Sequence, residues 1–504
     1  MLTPNDFEKI AKQAKKLYSQ LELEIIKEIA ERIANIGYAN TVVLNDIKIA
    51  QEMGIMYQDI INLVAKYNEA SVSQIKEIFD TAGAQTLKLD DKIYKEAGLT
   101  PLPLKQSPSM IQLLSATAKK THNNLSNLVM TTATSAQTEF YSAMNEAYME
   151  VSTGVKSYSE AILDSVKKIG EKGAYITYPS GQHRSIESAV RMNILTSVNQ
   201  TCGKLQELRA DEMGWDLMEL TAHSGARPEH AEWQGKIVSR SGQKGYLSLD
   251  DIGYGEVTGF KGVNCRHDWM PYYKGSTRTY TNKELNELKN ERVSYNGKDI
   301  SKYEATQIQR KMERQIRNDK KEIAGLEGIL RSNTNNEDLM EETKNRFNLK
   351  SYKLKEKEII LNDLLKQTNL KRDVLRERVD STNRSISQKI VQGAKKIERN
   401  KEMLYNSIIP LDKKLRFIDN NNMQAFVPKG AEITNIVEIA GKNSDEFRNA
   451  NRYVELYGGN LQEWNKRAGK IESDKYIFDI HWVQGENGVF TEWKIKNKKL
   501  KGGI

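Results

Sequence analysis

Apolar side chains fall at Phe7, Ile10, Ala14, Leu17, Leu21, Ile25, Ile29 and Ile33. Steps of three and four residues place them on one helical stripe, with Lys and Glu on the opposite face and Gly37 as the stop. Shorter helical patterns follow over 47–53, 60–67 and 72–79, with Asn45, Asp46 and Ser71 as candidate caps. Residues 99–108 hold three of the nine prolines and read as a connector, after which helix-compatible sequence resumes from 109 to 168. Residues 175–183 read as a short extended stretch with a turn. Ile186, Val190, Ile194 and Val198 predict a helix over about 185–213, and alternation from Trp215 to Thr221 predicts a strand.

Two charged helical stretches, 302–330 and 337–365, are split by a polar turn at 332–336. Their apolar positions suit an antiparallel hairpin whose charged faces read as solvated. Near the end, 444–457 predicts a helix closed by Gly458 and Gly459, and 476–484 and 489–496 predict two strands joined by Gly485-Glu-Asn-Gly488. The expected architecture is multidomain and mostly α: a helical region over 1–168, a small α+β core over 169–282, a helical-hairpin arm over 283–368, a basic linker over 369–420 and a small α+β domain over 421–504.

Composition narrows the function classes. The 504 residues carry 76 Lys+Arg against 67 Asp+Glu, a net charge of +9. The excess is concentrated over 369–401, where ten basic residues face four acidic ones. That stretch can contact DNA or RNA phosphates, or can simply be a basic linker. Two cysteines exclude a disulfide scaffold. No apolar run approaches the roughly 20 residues that cross a bilayer, so no membrane partner is expected. No Gly-Lys pair completes a phosphate-binding loop, and no G-x-S-x-G marks a serine hydrolase.

Two constellations carry candidate chemistry. His223, His230, Cys265 and His267 gather half of the six histidines and one of the two cysteines into two close pairs. Imidazole nitrogen and thiolate sulfur are preferred zinc donors, and four of them make a closed structural site. The same side chains can instead serve as a hydrogen-bonded loop core. The second set lies on the C-terminal hairpin. Pairing Gln484 with Val489 puts Tyr476, Phe478, Ile480, Trp482, Trp493 and Ile495 on one face. His481 then lies opposite Glu492, and Asp479 opposite Lys494, on the other face. Glu492 as base, His481 as acid and Lys494 as phosphate neutraliser are the parts of a metal-independent ribonuclease. They are equally the cross-strand pairs of a solvated sheet face.

Several motifs resemble a known family. Tyr178-Pro-Ser-Gly181, Arg191-x4-Thr196, AHSGARPEHAEWQGK at 222–236 and GVNCRH at 262–267 are similar to the phage minor capsid protein 2 family. These are head-morphogenesis proteins more distantly related to the phage Mu F-like proteins. The opening MLTPNDFEKI, DDKIYKEAGL at 90–99 and QTNLKRDVLRERV at 367–379 look like the same family, so the resemblance spans about 1–380. It implies a minor virion component inside the capsid near the portal, made in the host cytoplasm. Its partners would be the portal and major capsid proteins, and its role DNA packaging or ejection. It implies no catalytic activity. Tyr457-Gly-Gly, Trp464-x-Lys466, Gly469-Lys-Ile and HWVQGENG with EWKIK resemble small C-terminal domains of the barnase, colicin and RelE-like nuclease group. That likeness implies an RNA partner for a capsid-delivered effector.

Overall fold

The computed structural model describes all residues except 1, 11, 37–41, 173, 378–383, 419–423, 446, 487 and 502–504. The proposed helix stop at Gly37 lies outside the described residues. The chain forms two compact units, Met1–Leu339 with Lys357–Thr382, and Met340–Glu356 with Asn383–Ile504. Among the described residues no helix is long and apolar enough to cross a membrane.

The first unit opens with α1 (Pro4–Ile10), α2 (Lys12–Ile36), α3 (Val42–Glu96), α4 (Pro108–Ser152) and α5 (Tyr158–Lys172). The three short helices expected over 47–79 are one element of 55 residues, about 80 Å at 1.5 Å per residue. Ser71 does not cap a new helix. Its hydroxyl donates to the Asn68 carbonyl and lies 3.1 Å from the Tyr18 hydroxyl. The stripe Ile49, Met56, Ile60, Val64, Tyr67, Ile75, Ile78 and Ala82 runs buried past it, so packing carries the helix through weak stop signals. Pro108 belongs to the next helix rather than to the connector. It is the first residue of α4, where its missing N–H costs nothing.

After β1 (Tyr175–Thr177) and β2 (His183–Ser185), an antiparallel pair, comes α6 (Ile186–Glu212), capped by the Ser185 hydroxyl accepting from the Ser188 N–H. A three-stranded antiparallel sheet follows, ordered β4–β3–β5, from β3 (Leu217–Leu220), β4 (Ile237–Ser239) and β5 (Trp269–Pro271). The four-residue helix α7 (Pro228–Ala231) sits between β3 and β4. The helix α8 (Asn282–Lys289) and the hairpin β6 (Arg292–Tyr295) and β7 (Lys298–Ser301) lead into α9 (Lys302–Arg331) and α10 (Glu337–Thr368). The short helix α11 (Val374–Glu377) packs back on α9.

The charged positions of α9 are only partly solvated. Arg317 and Lys321 are buried and donate to Glu22 of α2 at 2.6 and 2.7 Å, and Lys27 pairs with Glu327 at 2.8 Å. Small residues bring the helices close enough for this. A Cβ on Gly328 would lie 2.7 Å from the Lys27 carbonyl oxygen, and one on Gly325 2.8 Å from a Val166 methyl of α5. α2 is therefore apolar on more than one stripe: Ile26 and Ala30 are as buried as Leu21 and Ile25.

The second unit holds α12 (Arg384–Tyr405), β8 (Ile409–Pro410), the paired β9 (Leu415–Ile418) and β10 (Gln424–Val427), β11 (Glu432–Ala440), α13 (Ala450–Tyr457), β12 (Trp464–Glu472), β13 (Tyr476–Gly485) and β14 (Phe490–Leu500). Five strands make one antiparallel sheet ordered β14–β13–β12–β11–β8. One sheet face buries Ile433, Ile436, Ile471, Phe478, Ile480, Trp482, Trp493 and Ile495, and Leu404 of α12 packs into the same core. The other face meets α13 through Tyr453, Trp464 and Val483. The later half of the basic stretch is thus helical, with Ala394 and Ile397 inward and Lys389, Lys395, Lys396 and Arg399 exposed.

Burial by itself raises the Glu22 carboxyl, but Lys321 and Arg317 outweigh it and hold it below the ordinary carboxylate range. A group depressed in the fold stabilises above its unfolded value, about 4.3, and that stability is lost as pH falls through the lower folded value. Glu22→Gln leaves two buried cations short of a counter-charge and should cost about 3–5 kcal/mol at neutral pH. The check is the thermal midpoint of the helical unit across an acid series. The variant should melt lower at neutral pH and approach wild type below about pH 4. Equal midpoints at neutral pH would refute it.

Candidate metal centre

The block from Ala222 to Lys236 leaves β3, turns, and enters α7, where Pro228 starts the helical turn that carries His230. The chain returns through a tightly wound loop. A Cβ on Gly262 would lie 2.5 Å from the Glu256 carbonyl oxygen, so only glycine fits before Cys265. Lys261 and Asn264 both take left-handed backbone angles there, φ 61° and 57°. Phe260, Trp233 and Trp269 pack around the loop with Met218, Leu220 and Val238 of the sheet.

This folding brings three of the four proposed ligands together. The donor atoms of His230, Cys265 and His267 all lie within 4.8 Å of one another, and all three residues are buried. His230 Nδ1 is 3.3 Å from His267 Nδ1, which is 3.8 Å from Cys265 Sγ. His223 stands beside this group. Its ring stacks on His267 with centroids 4.3 Å apart, and its Nδ1 is 3.0 Å from the Ser224 carbonyl oxygen. Burial lowers all three imidazoles from their ordinary value, and for His267 the neighbouring His223 and His230 add to a large depression. The three rings are neutral near pH 7 and have lone pairs to offer. Burial also raises the Cys265 thiol.

Comparison with known proteins places the chain. The family model described as phage minor capsid protein 2 matches residues 2–366. The chain belongs to that family. It is 28% identical over 353 residues to a protein named "Structural protein" from Lactococcus phage LL-H, covering 66% of this chain and 90% of that one. No solved structure matches it. The chain is accordingly a structural protein of the phage capsid.

In this minor capsid protein the C-terminal sheet lies beyond the family match. The hairpin register differs from the expected one. Gln484 pairs with Phe490, His481 with Lys494, and Asp479 with Asn497. The register shifts between His481 and Val483, where Glu492 takes φ 51° as the extra residue, and again between Asp479 and Ile480. The first of these shifts keeps Trp493 and Ile495 inside with Trp482 and Ile480, and the two indoles stack at 5.1 Å. Apolar burial thus overrides the uniform ladder. His481 and Lys494 come side by side, while Glu492 turns to α13, accepting from the Tyr453 hydroxyl at 2.6 Å and pairing with Arg452 at 3.2 Å. Burial lowers His481, and Lys496 and Lys466 lower it further.

Sequence reasoning missed the residues beneath the His–Cys cluster. Asn199 of α6 donates to the Cys265 carbonyl at 3.0 Å, and Lys261 Nζ donates to Asn199 Oδ1 and, at 2.6 Å, to Asp268 Oδ1. Asp268 also accepts from the Leu2 N–H at 2.8 Å. Gln206 donates to the Trp269 carbonyl and to Asp90 of α3. No spacing links residues 2, 90, 199, 206, 261 and 268, so no motif could have found them. Burial, reinforced by the Asp268 carboxylate, pushes the Asp90 carboxyl up to about 8. Its unfolded value is about 3.9, so the folded state binds the extra proton and stability from this group falls as pH rises between the two values. Asp90→Asn keeps an acceptor for Gln206 and should remove that slope, up to about 1.4 kcal/mol per pH unit. Thermal midpoints of wild type and variant at mildly acidic and mildly alkaline pH test it. Parallel curves would refute the assignment.

Proposed function

We propose that this protein works as a minor capsid component on the capsid interior beside the portal, joining portal and major capsid proteins during assembly in the host cytoplasm. The observation that carries the reading is the family match across 2–366 together with the phage structural relative. Within the first unit, helices up to 55 residues long pack beside a small sheet core, an arrangement suited to bridging subunits. The exposed cations of α12 offer salt-dependent contacts to phosphates of packaged DNA.

A second reading concerns the C-terminal unit as a delivered ribonuclease. It is favoured by His481, whose buried Nδ1 has no hydrogen-bond partner and whose cross-strand partner is Lys494. On this reading Glu492 takes the ribose 2′-hydroxyl proton, His481 protonates the leaving oxygen and Lys494 offsets phosphate charge.

Density for the chain in a map of the assembled particle should ring the portal on its inner side; density confined to the shell exterior or the tail would refute the first reading. For the second, the full chain incubated with RNA in EDTA should cleave it, with the rate reduced about 10²–10⁴-fold in His481→Ala and Glu492→Ala. No cleavage, or cleavage unchanged from wild type in His481→Ala and Glu492→Ala, would refute it.

A further inference from the structure

The His–Cys cluster presents an electrostatic conflict. His230 Nε2 is 2.7 Å from the Thr258 carbonyl oxygen, which only accepts, so that nitrogen carries the ring proton. His267 Nε2 is 3.2 Å from Gln234 Oε1. The same oxygen accepts from the His223 backbone N–H at 3.1 Å, which fixes the amide orientation and makes His267 Nε2 a donor as well. Both Nδ1 atoms are then bare lone pairs, yet they face each other at 3.3 Å with the Cys265 sulfur 3.8 Å from one of them. A neutral thiol can donate to the His267 nitrogen alone, so the two facing nitrogens still repel, whereas a cation between them and the sulfur satisfies all three.

Two of the three spacings, 3.3 and 3.8 Å, are close to those around such a cation, and the third donor pair lies within 4.8 Å. Zinc takes nitrogen at about 2.0–2.1 Å and sulfur at about 2.3 Å, so tetrahedral donors stand about 3.3 Å apart for two nitrogens and about 3.6 Å for nitrogen and sulfur. The supporting shell has the form metal sites use. Each imidazole donates its other N–H to an oxygen, and the carbonyl of the cysteine is held by Asn199.

We propose that this minor capsid protein binds one zinc-type divalent cation through His230 Nδ1, His267 Nδ1 and Cys265 Sγ. The fourth position belongs to a non-protein ligand, and His223 serves as a stacking ring outside the set. The ion ties α7 to the returning loop and so locks the two halves of the family's middle block onto the β4–β3–β5 sheet. The thiol ionises on binding, its proton leaving to solvent.

The test uses the full chain, purified without chelator from zinc-supplied cells. Elemental analysis should find about one zinc per chain, and chelation should lower the thermal midpoint of the first unit. Cobalt(II) added to chelated wild type should produce a thiolate-to-cobalt charge-transfer band. Zinc should fall at least about tenfold in Cys265→Ser and His267→Ala and stay near wild type in His223→Phe, with helicity by circular dichroism confirming that each variant folds. A folded wild type that purifies without metal and gives no cobalt band overturns the proposal. So does zinc retained in folded Cys265→Ser, and loss of zinc in folded His223→Phe overturns the three-residue set. Because the readout is metal content, its failure leaves the virion reading untouched.

Discussion

One buried carboxylate, Glu22, faces two buried cations, Arg317 and Lys321, from a helix nearly three hundred residues away in sequence. Removing ions from water is costly, and mutual attraction offsets that cost only with close geometry and full hydrogen bonding. The geometry exists because Gly325 and Gly328 let α9 approach α2 and α5 without side chains between them. This contact closes the first unit, since α9 lies between the N-terminal helices and the segment that returns through α11. A sliding of α9 by one residue would bury the charges unpaired, so the pair specifies register as well as adding cohesion.

The same logic operates at smaller scale under the His–Cys cluster. Lys261 and Asp268 form a fully buried pair at 2.6 Å, and the second oxygen of Asp268 takes the backbone N–H of Leu2. The start of the chain and the face of α6 are thus hydrogen-bonded to the returning chain at 265–269, and through Gln206 so is the C-terminal end of α3.

The C-terminal sheet obeys a different constraint. Continued evenly from the Gln484–Phe490 pair, the ladder would set Trp493 opposite His481 and Ile495 opposite Asp479, out of step with Trp482 and Ile480. The register shift between His481 and Val483 corrects this and sends Glu492 to Tyr453 and Arg452. The faces of the sheet were legible from alternation. The partners across it were not, because a bulge is decided by the summed packing of both strands against the core.

Periodicity determined the mostly helical architecture and the strand pair of the hairpin, and donor chemistry the grouping of three histidines with a cysteine, because each depends on residues near in sequence. The family block was likewise plain from its residues. Only the tertiary structure decided that α3 is continuous, that part of the charged face of α9 is interior, and that His230, Cys265 and His267 point their lone-pair atoms at one centre while His223 stacks beside them. Those outcomes turn on which surfaces meet, and the free energy of burying a charge or a ring depends on neighbours that the linear order does not bring together.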